Sequence, residues 1–247
     1  MSENLLIELK NCDERDLMYE AIAKNIATYF SNPSHEIFNK SYCEMLNDSV
    51  KWDATRVESE FEKFKNSWIS IYENLDISIE VIISYLEIAF LVVNDKEQLN
   101  KLRGFLFELM LVGIYGGQKM LEDKNQKAGW GVSIIYSGNE LIYSSSDIEA
   151  PNKRTKQTFD YIYIKEKFCY FYECKIRPSS LRELDLGYLQ YIQSFMDRKS
   201  IANEKCIFMA DVALNIEIEL ADIVEDNLNL IYLGYDTINA HVLEVLN

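Results

Sequence analysis

The stretch "TFDYIYIKEKFCYFYECKIRP", residues 158–178, is aromatic and β-branched enough to form core strands. Its aromatic and β-branched residues are typical of two buried strands, and the polar residues near its middle fit a turn between them. Asp160, Glu173 and Lys175 nevertheless carry charges inside the apolar runs. The stretch therefore predicts a core hairpin with charges at positions where central strands seldom have them.

The length of the loop between the two strands decides whether these charges meet. With a loop of two residues (166–167) or four (165–168), Asp160 lies opposite Glu173. Side chains alternate along a strand, so Lys175 then points the same way as Glu173. An odd loop would put Asp160 on the other face of the sheet. An even loop thus predicts that two carboxylates and one ammonium group converge.

Such a convergence has a chemical use. Neighbouring carboxylates repel each other unless a cation lies between them, and oxygen ligands of this kind suit Mg²⁺. A lysine beside the ion can orient or deprotonate an attacking water and offset charge that develops on a phosphoryl group. The structural alternative is that Asp160 caps the strand entry while Glu173 and Lys175 form a surface salt bridge. The apolar residues on both faces of these strands favour a metal and phosphate site.

A further acidic residue, Glu108, lies in a predicted helix over residues 99–115. A glutamate can hold its carboxylate in solvent at a helix end, but the nearest end is two turns away. Glu108 therefore faces the core in this prediction. The residues one turn away from it are small or apolar: Gly104, Phe105, Leu111 and Val112.

The remaining pattern predicts an α/β protein with a mixed sheet flanked by helices. Apolar residues at helical spacing make the first part, residues 1–98, mostly helical, and residues 5–9 allow a short strand there. Residues 99–247 form the predicted α/β core, in the order helix, strand pair, hairpin, helix and strand. A capping-box pattern at Ser180 and Glu183 predicts the start of the helix after the hairpin.

Charge is distributed unevenly along the 247 residues, whose net charge is −15. Residues 1–98 hold 9 Lys and Arg against 19 Asp and Glu, and residues 206–247 hold none against 8. Residues 153–182 are the exception, with 8 basic and 3 acidic residues, which gives a net +5. An acidic chain does not coat nucleic acid in general, so this window is the candidate substrate contact. Its candidate residues are Lys153, Arg154, Lys156, Arg177 and Arg182.

Cysteine usage and hydropathy limit the classes of protein to which the chain can belong. The five cysteines have no C-x-x-C spacing and only His35 and His241 could join them, so we expect no structural zinc. The N-terminus lacks the pattern of a secretory signal. The apolar stretch 77–93 contains Glu80 and Glu87, which favours a buried helix over a membrane span. We expect a cytoplasmic protein without membrane contact.

The order of an inward glutamate on a helix, strands, D-x(12)-E-x-K on a hairpin, a helix and a strand resembles the PD-(D/E)XK nuclease superfamily. The resemblance covers roughly residues 99–234, and Phe159 stands where the motif has proline. It implies a restriction-endonuclease-like core that hydrolyses phosphodiester bonds, with DNA as the main substrate class. Bacterial restriction and antiphage-defence effectors belong to this superfamily.

The resemblance also implies roles for individual residues. Asp160 and Glu173 would bind Mg²⁺ or Mn²⁺, with Glu108 and the backbone carbonyl of Cys174 as further ligands. Lys175 would be the catalytic lysine. Two residues of the following helix, Gln190 or Tyr191, would reach the substrate.

Two other functions stay open at this point. The chain could have kept the fold as a non-catalytic interaction module, or it could act on RNA or on a free nucleotide. A net charge of −15 repels nucleic acid, and one +5 window offers few phosphate contacts. We therefore expect a protein partner or a homo-oligomer that docks on the acidic N-terminal helices between residues 13 and 98. The alternative is that this acidity only keeps the protein soluble.

Overall fold

A computed structural model describes residues 7–11, 17–75, 78–121, 127–145, 155–224 and 228–247. In these ranges the strands are β1 (Ile7–Asn11), β2 (Ala128–Tyr136), β3 (Asn139–Glu140), β4 (Tyr143–Ser144), β5 (Thr155–Lys156), β6 (Thr158–Lys165), β7 (Phe168–Lys175), β8 (Ala202–Met209) and β9 (Ile231–Leu233). The helices are α1 (Leu17–Phe30), α2 (Asn39–Asp48), α3 (Val57–Tyr72), α4 (Glu80–Leu91), α5 (Lys96–Gly116), α6 (Gln118–Leu121), α7 (Glu183–Lys199), α8 (Ala213–Leu220) and α9 (Ile238–Leu246).

One mixed sheet organises the molecule. Its strands lie in the order β1, β2, β6, β7, β8 and β9, and β3 adds to β2. The pairs from β1 to β7 are antiparallel, whereas β7, β8 and β9 run parallel. The crossover from β7 to β8 passes through α7, as a parallel connection requires. The predicted fold class, a mixed α/β sheet flanked by helices with a mostly helical N-terminal region, is confirmed.

Helices cover both faces of the sheet. On one face, α1 to α5 and α9 bury a core that reaches Tyr172 on β7 and Phe208 on β8. On the other face, α7 and α8 pack against Phe171 and Ile207. The first core includes residues from before and after residue 98, and β1 joins the sheet from the N-terminal side. The predicted boundary at residue 98 therefore does not divide the hydrophobic core.

Some predicted elements differ from those observed. The predicted capping box at Ser180 and Glu183 is wrong, because Pro178–Ser180 forms a turn of 3-10 helix and α7 begins only at Glu183. The carboxylate of Asp185 instead accepts the backbone N–H of Arg182, at 3.0 Å. Patterning alone did not indicate α2 or α9. Among the described helices, each is too short or too polar to cross a bilayer.

The hairpin of β6 and β7 has an even loop, the condition under which Asp160 and Glu173 lie opposite each other. Two residues, Glu166 and Lys167, connect the strands, and Glu166 adopts a positive φ of 55°. The ladder pairs Lys165 with Phe168 and continues to Tyr161 and Tyr172. The next positions along it are Asp160 and Glu173, so the turn brings these two acids to the same level of the hairpin.

The sheet opens at Asp160. The ladder between β6 and β7 ends one position earlier, and the ladder between β2 and β6 skips the position opposite Asp160. That position on β2 is Gly131, whose φ of +61° is the left-handed conformation that glycine adopts readily. Local irregularities of this kind free a strand from regular pairing and redirect its side chains. Asp160 therefore lies at a split in the sheet, which groups from both faces can reach.

Gly113 lets α5 approach α1 closely, and Gly113→Ala is expected to destabilise the fold. An added Cβ would lie 2.5 Å from Cβ of Phe30 and 2.7 Å from the carbonyl oxygen of Ala27. Such overpacking costs about 1–3 kcal/mol. Gly104→Ala on the same helix is the matched control, because its Cβ would meet only a carboxylate oxygen of Glu108 at 3.9 Å.

Chemical denaturation of both variants measures the effect. Gly104→Ala should raise the free energy of unfolding by up to about 1 kcal/mol, because alanine favours helix more than glycine does. Gly113→Ala should lower it. Equal stability of the two variants would contradict the close packing of α1 on α5.

Candidate active site

Asp160, Glu173 and Lys175 meet at the split between β6 and β7. One carboxylate oxygen of Asp160 accepts the backbone N–H of Cys174 at 2.7 Å, in place of a strand carbonyl. Nζ of Lys175 lies 3.7 Å from the same oxygen and also donates a hydrogen bond to Glu173. The structure thus brings together the three charges that the hairpin geometry predicted to converge. Their roles stay predictions.

Glu173 is the most deeply placed of these groups, with its side chain fully buried. Its Oε1 accepts hydrogen bonds from Lys175 and from Nζ of Lys156, the latter at 2.5 Å. Its Oε2 has no hydrogen-bond partner within the described residues. An unsatisfied buried carboxylate oxygen is costly, so this atom favours a cation beside it. The donor set fits a hard divalent ion such as Mg²⁺.

Lys156 and Asp185 extend the site toward the start of α7. Nζ of Lys156 lies 2.5 Å from Glu173 and 2.7 Å from Oδ1 of Asp185, which is also fully buried. The Lys156 side chain is 11% exposed. Lys156 was predicted as a substrate contact, and the structure instead places its ammonium group inside the site between two buried carboxylates.

Glu108 reaches the site from α5. Its Oε2 accepts a hydrogen bond from the indole Nε1 of Trp130 at 2.5 Å. The side chain is half-buried, and it lines one cleft together with Asp160 and Lys175. The prediction that Glu108 faces inward and lies beside the other acids therefore agrees with its position.

The cleft has a volume of about 380 Å³. It opens between α5 and the segment that follows β7, and Val50, just after α2, contributes to its wall. The N-terminal helical region therefore helps to build the site. The charged residues that line the cleft are Arg103, Glu108, Asp160, Lys175 and Arg177.

Burial and mutual repulsion raise the pKa of two acids. Burial raises the pKa of Asp160 to about 6, with a further contribution from Glu173 that Lys175 partly opposes. Burial and the neighbouring Asp160 hold the pKa of Glu108 well above its ordinary value. Without a divalent cation, the positive charge around these two carboxyl groups is too small to keep both of them ionised. A bound cation would favour their ionised forms.

The lysine and the outer acid shift in the opposite sense. Burial lowers the pKa of Lys175, but Glu173 and Asp160 raise it by more, so it stays above its ordinary value. Burial raises the pKa of Asp185, but Lys175 and Lys156 outweigh that effect and keep it below its ordinary value. Lys175 is therefore an ammonium group and Asp185 a carboxylate at neutral pH.

The other predicted substrate contacts are dispersed. Arg177 lines the cleft, and Asn47 accepts two hydrogen bonds from its guanidinium group. Arg182 is exposed at the start of α7, where it interacts with Asp185. Gln190 is half-buried on α7.

Of the four remaining predicted residues, two lie in the described part of the chain and two lie outside it. Tyr191, also on α7, packs 6.1 Å from the ring of Tyr143. Lys153 and Arg154 lie outside the described residues. Cys174 lines the cleft, and metal ligation by its carbonyl stays a prediction.

Sequence reasoning missed three residues of the site: Trp130, Arg103 and Asp185. The signal for Asp185 is its spacing from Leu181 and Leu189, which puts an acid on the apolar face of α7. Arg103 lies one turn from Leu99 and Phe107 on α5, so it too is a charge on an apolar face. For Trp130 we find no sequence signal that distinguishes it from a core residue.

A second cluster of possible ligands lies on β8 and α9. One ligand atom each of Glu204, Cys206 and His241 lies within 4.8 Å of the others. The hydroxyl of Tyr172 is 2.8 Å from Nε2 of His241 and provides that nitrogen with a hydrogen-bond partner. The sequence analysis did not expect this grouping. Sulfur and imidazole ligands suit softer ions than Mg²⁺, so the cluster does not bear on the predicted cofactor.

Glu108→Gln is expected to stabilise the metal-free protein, and more so at high pH. Because the pKa of Glu108 is raised in the folded state, the folded protein keeps a proton that the unfolded chain loses above about pH 4.3. Stability of the wild type therefore falls as pH rises past that point, and glutamine removes the loss.

Thermal melts in EDTA at pH 5 and pH 8 measure this difference. The advantage of Glu108→Gln should be larger at pH 8. Glu97→Gln, which changes an exposed glutamate on the same helix, is the matched control. An advantage of the same size at both pH values would show that the Glu108 carboxyl group titrates in the usual range.

Comparison with known proteins does not indicate a function. No family model matches the sequence, and no curated protein matches it. The structure is similar to the crystal structure of protein VC1899 from Vibrio cholerae, with a TM-score of 0.44 and 12% sequence identity. The similar region covers 98% of this chain, and the chain spans 58% of the length of that protein. Any function must therefore be argued from the site.

Proposed function

We propose that the protein is a metal-dependent nuclease that hydrolyses phosphodiester bonds of DNA, with Mg²⁺ or Mn²⁺ as its cofactor. The observation that carries the proposal is the convergence of Asp160, Glu173 and Lys175 at the split in the sheet, beside a cleft that Asp160 and Lys175 line, with a buried oxygen of Glu173 that has no partner among the described residues. Carboxylates around a hard cation, next to an ammonium group, form a site suited to a phosphoryl group.

The roles follow from position and charge. Asp160, Glu173 and Glu108 would hold the divalent ion through carboxylate oxygens. When bound, that ion supplies Lewis-acid polarisation of the phosphoryl group and neutralises its charge. The ammonium group of Lys175 lies between Asp160 and Glu173, so its positive charge is next to the proposed position of the phosphoryl group.

The protonation state of Lys175 bears on the two roles that the sequence left open. Its pKa lies above the ordinary value, so it holds its proton at neutral pH. An ammonium group cannot accept a proton from water. In this protonated state Lys175 would orient the attacking water and stabilise negative charge on the phosphoryl oxygens. A divalent ion held by Asp160 and Glu173 would lower the pKa of Lys175, so a general-base role stays open.

The remaining acid and base hold this arrangement in place. Asp185 and Lys156 lie behind Glu173, and their ion pair fixes the position of the Glu173 carboxylate. They act as positioning residues, because they support the groups that would touch the ion and the substrate.

Glu108→Gln should weaken metal-dependent cleavage while the fold persists.

The biological setting is part of the proposal. Cys43, Cys169, Cys174 and Cys206 are free and buried, which fits a reducing compartment such as the cytoplasm. A role in bacterial restriction or antiphage defence is consistent with a DNA nuclease. The partner or homo-oligomer expected on the acidic N-terminal helices stays a prediction.

A cleavage assay tests the function. The purified full chain should be incubated with supercoiled plasmid, single-stranded DNA and RNA, in Mg²⁺, in Mn²⁺ and in EDTA. We expect DNA cleavage that requires the metal. A variant that lacks one site carboxylate and is prepared identically should not cleave DNA. Cleavage of RNA alone would favour the RNA alternative. Binding of nucleic acid without any cleavage would favour a non-catalytic interaction module.

A further inference from the structure

Two arginines face the cleft beside the acidic cluster. Arg103 projects from α5, and Arg177 follows β7. We propose that Arg103 and Arg177 together bind a phosphate group of the substrate strand next to the one that is cleaved. This inference rests on the proposed nuclease function, and it names residues that hold the polynucleotide in the cleft.

Arg103 has unused hydrogen-bonding capacity. Its side chain is buried, with 8% of its surface exposed. Nη1 donates to the carbonyl oxygen of Ser49 at 3.0 Å, and Nη2 donates to Oδ1 of Asn100 at 2.6 Å. Nε has no hydrogen-bond partner within the described residues. A buried guanidinium group normally pairs with an anion, and both of these partners are neutral.

Arg177 is held in a fixed orientation by the N-terminal region. Its Nε donates to Oδ1 of Asn47, and its Nη2 donates to the backbone oxygen of Asn47 at 2.6 Å. These contacts position the group without neutralising it. In the described part of the chain, neither Arg177 nor Arg103 forms an ion pair with a carboxylate.

The two guanidinium groups also act on each other. Burial lowers the pKa of Arg103, and the positive charge of Arg177 lowers it further. Both remain charged at neutral pH, because arginine does not lose its proton under these conditions. An anion bound between them would relieve this repulsion. A phosphate group suits them, because guanidinium groups bind its oxygens with two parallel hydrogen bonds.

A structural explanation accounts for only part of this arrangement. Asn47 and Ser49 lie at the C-terminal end of α2, whose carbonyl groups carry the negative end of the helix dipole. Lys96 binds the next carbonyls, those of Val50 and Trp52. A helix terminus supplies roughly half a unit of negative charge, which cannot balance two guanidinium groups. Capping also leaves Nε of Arg103 unused.

The location favours a phosphate of the substrate strand. Both arginines line the same cleft as Asp160 and Lys175, so an anion bound to them would lie beside the proposed catalytic groups. The pair also concentrates positive charge locally on a chain of net −15. Both arginines follow residue 98, and the N-terminal half of the chain orients their guanidinium groups through the neutral acceptors Asn47 and Ser49.

Binding without cleavage tests the proposal. The affinity of the full chain for fluorescent single-stranded and duplex DNA should be measured by anisotropy in EDTA over a range of salt concentrations. Arg177→Met and Arg103→Met should each weaken binding about 10- to 100-fold, as loss of a charge-assisted contact does. The slope of log affinity against log salt should fall by roughly 0.7–0.9 if the pair holds one phosphate. Arg198→Met, which alters an exposed arginine at the end of α7, is the matched control.

Further measurements separate the possible failures. If Arg103→Met proves unstable in a thermal melt, Arg103→Lys takes its place in the test. Lysine keeps the positive charge, so this variant should retain the fold and lose part of the DNA affinity. Unchanged DNA affinity and salt slope in folded Arg177→Met and Arg103→Lys, while the wild type still cleaves DNA, would overturn the phosphate site and leave the nuclease proposal intact.

The source of the phosphate and the function itself are also distinguished. If the arginine variants alter only the thermal stabilisation by inorganic phosphate, the pair binds a free anion and the strand contact is wrong. If the wild type neither binds nor cleaves any nucleic acid, the nuclease proposal itself fails.

Discussion

Asp160→Asn is expected to abolish both divalent-metal binding and DNA cleavage. Asp160 lies at the split in the sheet, where it meets Lys175 and the backbone of Cys174. Asparagine keeps an oxygen that can accept the Cys174 N–H, so the fold should persist. It removes the negative charge that would hold the ion. Since a metal stabilises the transition state by several kcal/mol, the cleavage rate should fall by about 10³-fold or more.

Calorimetric titration with Mn²⁺ and a plasmid-cleavage assay measure the two losses separately. Asp197→Asn changes an exposed aspartate near the C-terminal end of α7 and serves as the control for loss of one carboxylate. Metal binding and cleavage at wild-type levels in Asp160→Asn would show that Asp160 is not part of the metal site. That result would contradict the proposal that the β6–β7 hairpin carries this site.

Lys175→Met is expected to give a different result: cleavage is lost, but metal binding persists. The ammonium group supplies positive charge to the phosphoryl group and does not ligate the ion. Removing an electrostatic donor of this kind typically costs about 10²–10³-fold in rate. Mn²⁺ should bind as tightly as in the wild type or more tightly, because a competing cation near Glu173 and Asp160 is gone.

The same two assays apply to Lys175→Met. Glu173 keeps Lys156 as a partner, so its carboxylate is not left unpaired. Lys63→Met, at an exposed lysine of α3, is the control for loss of one surface charge. Cleavage at the wild-type rate would show that Lys175 has no catalytic role and only balances the charge of the neighbouring carboxylates.

The central hairpin could be predicted because its determinants are local. Alternation along the strands and a two-residue turn suffice to bring Asp160, Glu173 and Lys175 to one place. Glu108 could be found because a charge surrounded by apolar residues at helical spacing requires a special environment. The α/β order followed from the same periodicities.

The rest depends on contacts distant in sequence. No local pattern indicates that Arg177 meets Asn47, 130 residues away, or that Lys156 bridges Glu173 and Asp185. Lys156 therefore looked like part of a basic surface window, although its ammonium group is in the interior. The opening of the ladder at Gly131 also depends on neighbouring strands, and strand alternation alone does not foresee it.

The N-terminal region shows the same limit. Its acidic helices suggested a separate unit for partner contact, and the sequence offered no sign of shared packing. In the structure α1 packs on α5, and the end of α2 orients an arginine of the cleft. The partner contact on these helices stays a prediction.

The most direct measurement is an anomalous difference map from crystals of the full chain soaked in Mn²⁺. We expect a peak between the carboxylates of Asp160 and Glu173, within coordination distance of both, and no such peak in Asp160→Asn. A map without density there, or with manganese only at Glu204, Cys206 and His241, would contradict the proposal that the hairpin acids form the metal site.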